Sequence, residues 1–343
     1  MARPSKKILA TLLALAWLGS AASTASAAVS LVLPTANTNL FVPGAEEHYF
    51  VGTVGREWPS GSFGCVRSEG WQLHEGIDIK ALERDRRGEP TDPVLAVAEG
   101  VVLYVNPKAG LSNYGNYIVL GHRMDGVEVC TVYAHLREIA EGVRVGAVVR
   151  MGQQIGTLGR TANTRSGISK DRAHLHLEVA LFLNKKFPQW HASRMPGARN
   201  DHDMFNGQNL AGFDPARLFQ EHRRLGAQFN LVRFIQSQPE LCRVQVRDTN
   251  FEFLKRYQPL VTKRSESAVD GVAGYEIVFD YAGVPMQLIP LAAGELKSKA
   301  RVNLLSVNEA VQQAHRCRKL VVKRSGRWEL ASGGERLVDL LLY

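Results

Sequence analysis

The sequence is poor in cysteine and in long apolar runs, and each shortage excludes a class of protein. Four cysteines stand among the 343 residues, and none has the close Cys-x-x-Cys spacing of a zinc knuckle or a redox site. Beyond residues 1–27, no segment has the length and apolarity to cross a bilayer. Residues 221–343 contain no catalytic motif. Any catalytic chemistry is therefore expected before residue 221.

Residues 1–27 have the pattern of a secretory signal peptide. A start with three basic side chains precedes the apolar run 8–18, which is too short for a typical membrane span. Ala25-Ser26-Ala27 then provides a small-x-small cleavage site. An uncleaved N-terminal anchor is the alternative, and the Ala/Ser-rich stretch after Leu18 disfavours it. We expect an exported protein, periplasmic or secreted, with no stable membrane span after cleavage.

The positive charge of the chain is concentrated in its last third. The formal net charge is +9, but residues 28–220 hold 20 basic and 20 acidic side chains, whereas residues 221–343 hold 19 and 13. We therefore expect a neutral first part and a basic second module of unknown role. Anionic envelope polymers are candidate partners of that module. A solvated basic surface without a partner is the alternative, and nucleic acid is not expected.

The even number of cysteines suggests disulfides in an exported protein. Four cysteines allow three connectivities. We favour the two pairings that would each staple one module, namely Cys65–Cys130 and Cys242–Cys317.

The pattern of the first part predicts a compact antiparallel β domain over residues 71–220, after an irregular lead-in over 28–70. Short β-branched runs alternate with turn residues, and little helical periodicity is present. The run 94–105 reads as a hairpin that turns at Glu99-Gly100. Further strands are expected at residues 117–120, 129–135 and 174–179.

The second module, residues 221–343, reads as a smaller α+β unit. Asp214-Pro215 opens a helix that closes the first domain, with Asp as N-cap and Pro at the first position. Two hairpins and a helix are then expected. The strands are 275–281 with 284–291 and 319–324 with 327–330, and the helix follows a capping box at Ser306 and runs to about Arg318.

Two clusters in the first domain suit a catalytic zinc site, which takes three protein ligands and keeps a fourth position open. His174 and His176 are two apart on an expected strand, so both side chains leave the same face. His74 and Asp78 are four apart, too far in a regular strand to share a metal. Gly76 between them permits a tight bend that brings them together.

These clusters resemble the lysostaphin-type (LytM-like) zinc metalloendopeptidases. The matching motifs are His74-x-x-x-Asp78, Tyr133-Ala134-His135-Leu136 and His174-Leu175-His176-Leu177-Glu178. The resemblance implies that His74, Asp78 and His176 bind one Zn²⁺ per chain. It also implies that His135 and His174 are catalytic and orient or deprotonate a zinc-bound water. Since the sequence has no His-Glu-x-x-His segment, a helical glutamate base is absent.

Two loops depart from the family pattern. Before the histidine pair, the loop 161–173 is longer and more polar than the usual Gly-rich turn, and it ends Arg172-Ala173 where Gly-Pro is typical. After the pair, the stretch 184–213 is an insertion. Both loops would border the groove, so they put the choice of substrate in doubt more than the chemistry. The first loop is also a candidate gate of the groove.

The resemblance implies an endopeptidase that hydrolyses peptide bonds in the stem peptides or cross-links of peptidoglycan. One alternative is a non-catalytic regulator of another cell-wall hydrolase, which typically lacks zinc ligands, whereas all matched positions are filled here. A second alternative is an exported endopeptidase that acts on proteins. The sequence does not identify the bond that is cut or the oligomeric state.

Overall fold

The computed structural model describes residues 28–164, 167–263 and 271–343. The expected signal peptide over residues 1–27 lies outside the described residues. The chain divides into two compact units, each built from several stretches. Unit 1 holds the described residues up to Phe63 together with His74–Ala180 and Asp214–Phe229, and unit 2 holds Gly64–Leu73, Leu181–Phe213 and Asn230–Tyr343. The expected domain boundaries at residues 71 and 221 stay a prediction.

Unit 1 is built mainly from antiparallel strands. One sheet has the strand order β11-β7-β6-β5-β9, and β3 pairs with the other edge of β11. A smaller sheet has the order β4-β10-β8. The strands are β3 (Ile77–Lys80), β4 (Pro93–Leu95), β5 (Gly100–Asn106), β6 (Tyr117–Met124), β7 (Val127–Ala134), β8 (Glu138–Ile139), β9 (Val148–Val149), β10 (Gln154–Thr157) and β11 (His174–Phe182).

The centre of this sheet is the hairpin of β6 and β7. Its turn is Asp125-Gly126, and both residues have positive φ, at 49° and 78°. An Asp-Gly pair accommodates this conformation, which matches the twist of the flanking strands. Both strands are almost wholly buried, as is β11 beside them. The mainly β, antiparallel fold class that the sequence predicts is confirmed.

The hairpin expected over residues 94–105 is wrong. Residues 94 and 95 belong to β4, which pairs with β10, whereas residues 100–105 belong to β5, which pairs with β6 and β9. Glu99-Gly100 therefore lies at a crossing between two sheets. A β-branched run on both sides of a turn residue satisfies either arrangement, because its side chains are buried in both.

The lead-in packs against the first sheet instead of linking two domains. It contains the short helix α1 (Glu46–Tyr49). Phe50 forms a bridge with Ile79, and the amide of Val51 donates to the carbonyl of Asp78 at 2.9 Å. These contacts cover part of the free edge of β3, which would otherwise expose unpaired backbone groups.

Unit 2 combines antiparallel sheets with helices, as the predicted α+β module does. Its largest sheet has the order β15-β14-β13-β16, and β17 and β18 form a hairpin. Both expected hairpins are present with bounds shifted by a few residues. The strands are β1 (Gly64–Arg67), β2 (Gln72–His74, ending in unit 1), β12 (Leu210–Phe213), β13 (Glu240–Val246), β14 (Val272–Asp280), β15 (Pro285–Ala292), β16 (Val302–Val307), β17 (Val321–Arg324) and β18 (Arg327–Leu330).

The remaining helices are short. They are α2 (Phe187–Arg194), α3 (Pro215–Leu225), α4 (Leu231–Gln236), α5 (Glu252–Arg256), α6 (Glu309–Ala314) and α7 (Ser332–Leu341). The Asp214 carboxylate caps α3 as predicted, by accepting from the amides of Ala216 and Arg217. The cap of α6 is Asn308 and not Ser306, which lies in β16. No helix of the described residues has the length and apolarity to span a bilayer.

The disulfide pairing favoured from the sequence is wrong. Cys65 bonds Cys317, with their Cα atoms 5.3 Å apart, while Cys130 and Cys242 are buried and form no disulfide among the described residues. Residues 64–73 belong to unit 2, so Cys65 lies in the same unit as Cys317 and not in that of Cys130. Sequence proximity within an expected module therefore gave the wrong partner.

Candidate metal centre

Three neighbouring strands of unit 1 bring the predicted ligands together. Asp78 on β3 lies directly opposite His176 on β11, and His176 lies opposite Ala134, the last residue of β7. Directly opposed residues in an antiparallel pair project from the same face, so Asp78 and His176 share a face with His174. His135 follows β7 immediately. His74 ends β2, just before the turn into β3.

The turn between His74 and Asp78 requires glycine at position 76. The reason is not a left-handed backbone conformation. Gly76 has no positive φ. A Cβ atom on Gly76 would lie only 2.3 Å from the carbonyl oxygen of Leu177. Glycine is therefore required because β11 approaches the turn closely, which is a packing reason that the sequence does not show.

The side chains of His74, Asp78 and His176 converge on one point. Asp78 Oδ1 lies 3.2 Å from His74 Nε2 and 2.9 Å from His176 Nδ1, and the two nitrogens are 3.1 Å apart. All three residues are buried. Three ligands at about 2.0–2.1 Å from a tetrahedral zinc would be roughly 3.3 Å apart. The donor set therefore fits a zinc ion in number, chemistry and spacing.

The second ring nitrogen of each of these histidines is also engaged. His74 Nδ1 lies 2.7 Å from the carbonyl oxygen of Ser62, and His176 Nε2 lies 3.0 Å from Glu178 Oε1. Glu178 in turn accepts from the hydroxyl of Tyr114 at 2.6 Å. Such partners fix the tautomer, so His74 presents Nε2 and His176 presents Nδ1 to the centre.

Two further imidazoles border the same point. The rings of His135 and His174 have centroids 4.8 Å apart, and the ring of His135 is 5.8 Å from that of His176. His135 Nδ1 lies 2.9 Å from the carbonyl oxygen of Thr161, and His174 Nδ1 lies 2.7 Å from that of Arg172. Donation from Nδ1 leaves Nε2 of each ring as a proton acceptor. His174 Nε2 is 3.5 Å from Asp78 Oδ1.

Burial and the neighbouring charges shift the pKa values of the side chains in the cluster. Burial, aided by the charges of His174 and His176, holds the pKa of His135 well below its usual value. Burial also lowers the pKa of His174. Burial opposes ionisation of Asp78, but the charges of His74 and His174 outweigh it and hold the pKa of Asp78 well below its usual value. Burial lowers the pKa of His176, but the hydrogen bonds and charges of Asp78 and Glu178 outweigh it and raise that pKa to about 9. The cluster thus places an ionised Asp78 beside His135 and His174, whose lowered pKa values leave their rings able to accept a proton.

His135 stands in a conformation that non-glycine residues rarely adopt. Its φ is 62°. The amide of His135 donates to the carbonyl of Tyr114 at 2.8 Å, and its own carbonyl lies close enough to Gly159 that a Cβ there would be 2.6 Å away. Strained backbone of this kind persists only where its surroundings enforce it, and it is concentrated at functional sites.

The described part of the loop 161–173 is anchored to a neighbouring loop of unit 1. Arg84 Nη1 donates to the carbonyl of Lys170 at 2.5 Å, and Lys170 Nζ donates to that of Arg87 at 2.7 Å. Arg160 forms two hydrogen bonds with the carboxylate of Glu89, both 2.8 Å long. Residues 165 and 166 lie outside the described residues, and gating by this loop stays a prediction.

Sequence reasoning missed the groups that orient the histidines. The carbonyls of Ser62, Thr161 and Arg172 carry no side-chain signal, so no motif could have revealed them. The Tyr114 hydroxyl was detectable only as an aromatic residue of uncertain role. Tyr133 is buried in the core, where its hydroxyl accepts from the amide of Val97 at 3.0 Å.

The metal-ligand group found among the described residues includes no other histidine. His122 is buried between the carbonyl of Glu99 and the hydroxyl of Thr131, at 2.8 and 2.7 Å. His191 and His202 of the insertion lie in unit 2.

One family model matches part of the chain. Residues 72–187 match the model of "Peptidase family M23". No curated protein sequence matches the chain significantly.

Several solved structures are similar to part of the chain. The catalytic domain of lysostaphin from Staphylococcus simulans is 22% identical, with 50% of this chain and 89% of that chain covered and a TM-score of 0.28. A variant of the catalytic domain of the prophage-encoded M23 protein EnpA from Enterococcus faecalis is 19% identical, with 38% and 79% covered and a TM-score of 0.27. A zinc-containing peptidase from Vibrio cholerae is 25% identical, with 39% and 37% covered and a TM-score of 0.26.

Proposed function

Because residues 72–187 match the model of peptidase family M23, we propose that this chain is a zinc-dependent endopeptidase that hydrolyses peptide bonds in peptidoglycan stem peptides or cross-links. One observation carries the proposal. The ligand atoms of His74, Asp78 and His176 all lie within 4.8 Å of one another, and the rings of His135 and His174 lie beside them. Filled ligand positions together with two spare imidazoles suit catalysis better than a purely structural metal site.

In this proposal His74 Nε2, Asp78 Oδ1 and His176 Nδ1 hold the zinc, and Glu178 orients His176. Zinc bound there would act as a Lewis acid and lower the pKa of a water molecule towards about 7. His135 and His174 supply the proton transfer. Each donates its Nδ1 proton to a backbone carbonyl, so its Nε2 accepts a proton from the nucleophile or, once protonated, stabilises the charge that develops on the scissile carbonyl oxygen.

The substrate assignment is supported by the family and by the expected route of the chain. An export leader would deliver the protein to the compartment that holds the cell wall. The lysostaphin structure is described as the catalytic domain of an antimicrobial peptidase, and we extend peptidase activity to this chain as part of the proposal. The 19 basic side chains of residues 221–343, against 13 acidic ones, would favour contact with anionic envelope polymers.

The proposal is tested with the full mature chain after removal of its metal. Zinc added back in equimolar amount should restore release of soluble fragments from purified peptidoglycan, while His135→Ala should bind the same zinc and release little. A zinc-free, inactive chain that stimulates a separate wall amidase would instead establish the regulator. Cleavage of Gly-rich proteins without cleavage of peptidoglycan would establish a protein endopeptidase.

A further inference from the structure

Unit 1 contains a pocket that is lined in part by Lys80 of β3 and by Arg172. It has a volume of about 570 Å³ and is lined by nine of the lead-in residues between 47 and 58, together with Lys80, Asp171 and Arg172. We call it the Arg172 pocket. Its volume is within the range of small-ligand sites, roughly 300–1,000 Å³.

We propose that the Arg172 pocket is a substrate subsite that takes a residue carrying a free carboxylate on an aliphatic stem. The inference rests on the proposed function, because it assigns part of the substrate to a place beside the same centre. It goes further by making the lead-in, which lies outside the matched family region, a determinant of specificity.

The register of the sheet places the pocket on the catalytic face. Lys80 lies directly opposite His174, just as Asp78 lies opposite His176. Directly opposed residues project from one face, so Lys80 shares the face of Asp78 and of the histidines. Residues 78 and 80 are two apart, which separates their Cα atoms by roughly 7 Å along the strand. A peptide at the centre therefore reaches the pocket within about one or two residues.

Arg172 connects the pocket with a catalytic histidine. Its carbonyl holds His174 Nδ1 at 2.7 Å, and its Nε donates to the carbonyl of Gly52 at 3.0 Å. That second bond is the one hydrogen bond its side chain makes with the described residues. The two terminal guanidinium nitrogens are thus available for bidentate contact with a carboxylate.

The lead-in is shaped closely around this contact. A Cβ on Gly52 would lie 2.3 Å from the carbonyl oxygen of Glu57, so the chain folds tightly back on itself there. Phe50 and Trp58 stack with ring centroids 5.8 Å apart and form an apolar wall. Lys80 Nζ donates to the carbonyl of Glu47 at 3.0 Å, which holds the ammonium at the pocket.

The charges of the pocket favour a carboxylate at one end. Arg172 and Lys80 supply two cations near the strand face, while Arg56 and Glu57 of the lead-in add one charge of each sign. A carboxylate next to an apolar stem matches both the cationic end and the aromatic wall.

The two other acidic side chains of the pocket have partners of their own. Asp171 accepts from Ser169 and is also stabilised by the charge of Arg172, and both interactions lower the pKa of Asp171. Glu47 lies 3.6 Å from His48 Nε2. Both acidic side chains still line the pocket, so the carboxylate of the substrate is expected at the end formed by Arg172 and Lys80.

The test compares stem peptides purified from peptidoglycan with the same peptides after their carboxylates are converted to carboxamides. Binding to the full chain carrying His135→Ala is measured by calorimetry. We expect amidation to weaken binding on the order of tenfold, because it replaces charge-assisted hydrogen bonds by neutral ones in an open pocket. Adding Lys80→Met or Arg172→Met should remove that difference, because both keep the aliphatic stem and remove the charge. Arg172→Lys should restore part of it.

Arg150→Met is the matched control, since Arg150 is exposed and does not line the pocket. An unchanged effect of amidation in the Lys80 and Arg172 variants would overturn the subsite. Hydrolysis of the same peptides by the wild-type chain is measured in parallel. Hydrolysis without a role for the pocket would remove the subsite and leave the proposed function. Carboxylate-dependent binding without hydrolysis would remove the proposed function and leave the subsite.

Discussion

The contact between Glu178 and His176 predicts how tightly the proposed zinc is bound. Glu178 is 2% exposed, and its Oε1 accepts from His176 Nε2 at 3.0 Å and from the Tyr114 hydroxyl at 2.6 Å. Glu178→Gln keeps the shape and one acceptor oxygen but removes the charge. Hydrogen bonds to charged groups contribute about 1.5–3 kcal/mol, and neutral ones about 0.5–1.5 kcal/mol. The lost difference of about 1–1.5 kcal/mol predicts a zinc Kd roughly tenfold weaker.

The assay is competition for zinc against a chelator of known affinity, at one pH and one ionic strength. Tyr114→Phe should have a smaller effect, because it removes only the hydroxyl that orients Glu178. Glu141→Gln is the matched control, since Glu141 is an exposed residue of unit 1 that does not belong to the cluster. A Kd for Glu178→Gln equal to that of the wild-type chain would refute the view that Glu178 orients a metal ligand.

Three further predictions concern catalysis and stability. His135→Ala should keep one zinc per chain by elemental analysis but lose about 10²–10⁴-fold in turnover, and near-wild-type turnover would remove His135 from the chemistry. Burial raises the pKa of Asp280 to about 7 from 3.8. The raised pKa therefore contributes about 4 kcal/mol to the free energy of unfolding below about pH 4, and this contribution is lost as the pH rises through about 7. Asp280→Asn should flatten the pH dependence of denaturant unfolding of unit 2, and an unaltered profile would contradict the shift. Cys65→Ser with Cys317→Ser should destabilise unit 2 by at most about 5 kcal/mol, seen as a lower Tm that reductant no longer changes.

Local patterns in the sequence predicted the elements whose signals are themselves local. The hairpin of β14 and β15 and that of β17 and β18 each follow from two apolar runs around a short turn. The cap of α3 follows from Asp214 and Pro215, since the carboxylate bonds amides only two and three residues away. In each case the partners are close in sequence, so composition and spacing suffice.

Features that depend on distant partners were not predictable in the same way. The run 94–105 is divided between two sheets because β4 finds its partner in β10, about sixty residues later. Cys65 finds Cys317 across a sequence separation of 252. A pattern read along the chain gives the type of an element but not its partner.

The candidate site contains both predictable and unpredictable features. The motifs singled out His74, Asp78, His135, His174 and His176, and the structure brings these five side chains together. Their roles as ligands or catalysts stay predictions. The carbonyls that set the tautomers belong to loops whose paths the sequence does not reveal. The Arg172 pocket was likewise hidden, because the lead-in that forms it reads as irregular sequence.

The central claim is that the zinc-loaded chain hydrolyses peptide bonds in peptidoglycan. Mass spectrometry of the fragments released from purified peptidoglycan tests it most directly. The account predicts fragments with one new amino and one new carboxyl terminus, at a single type of peptide bond, from the wild-type chain and not from His135→Ala. Intact peptides after incubation with a chain that holds one zinc ion would contradict it.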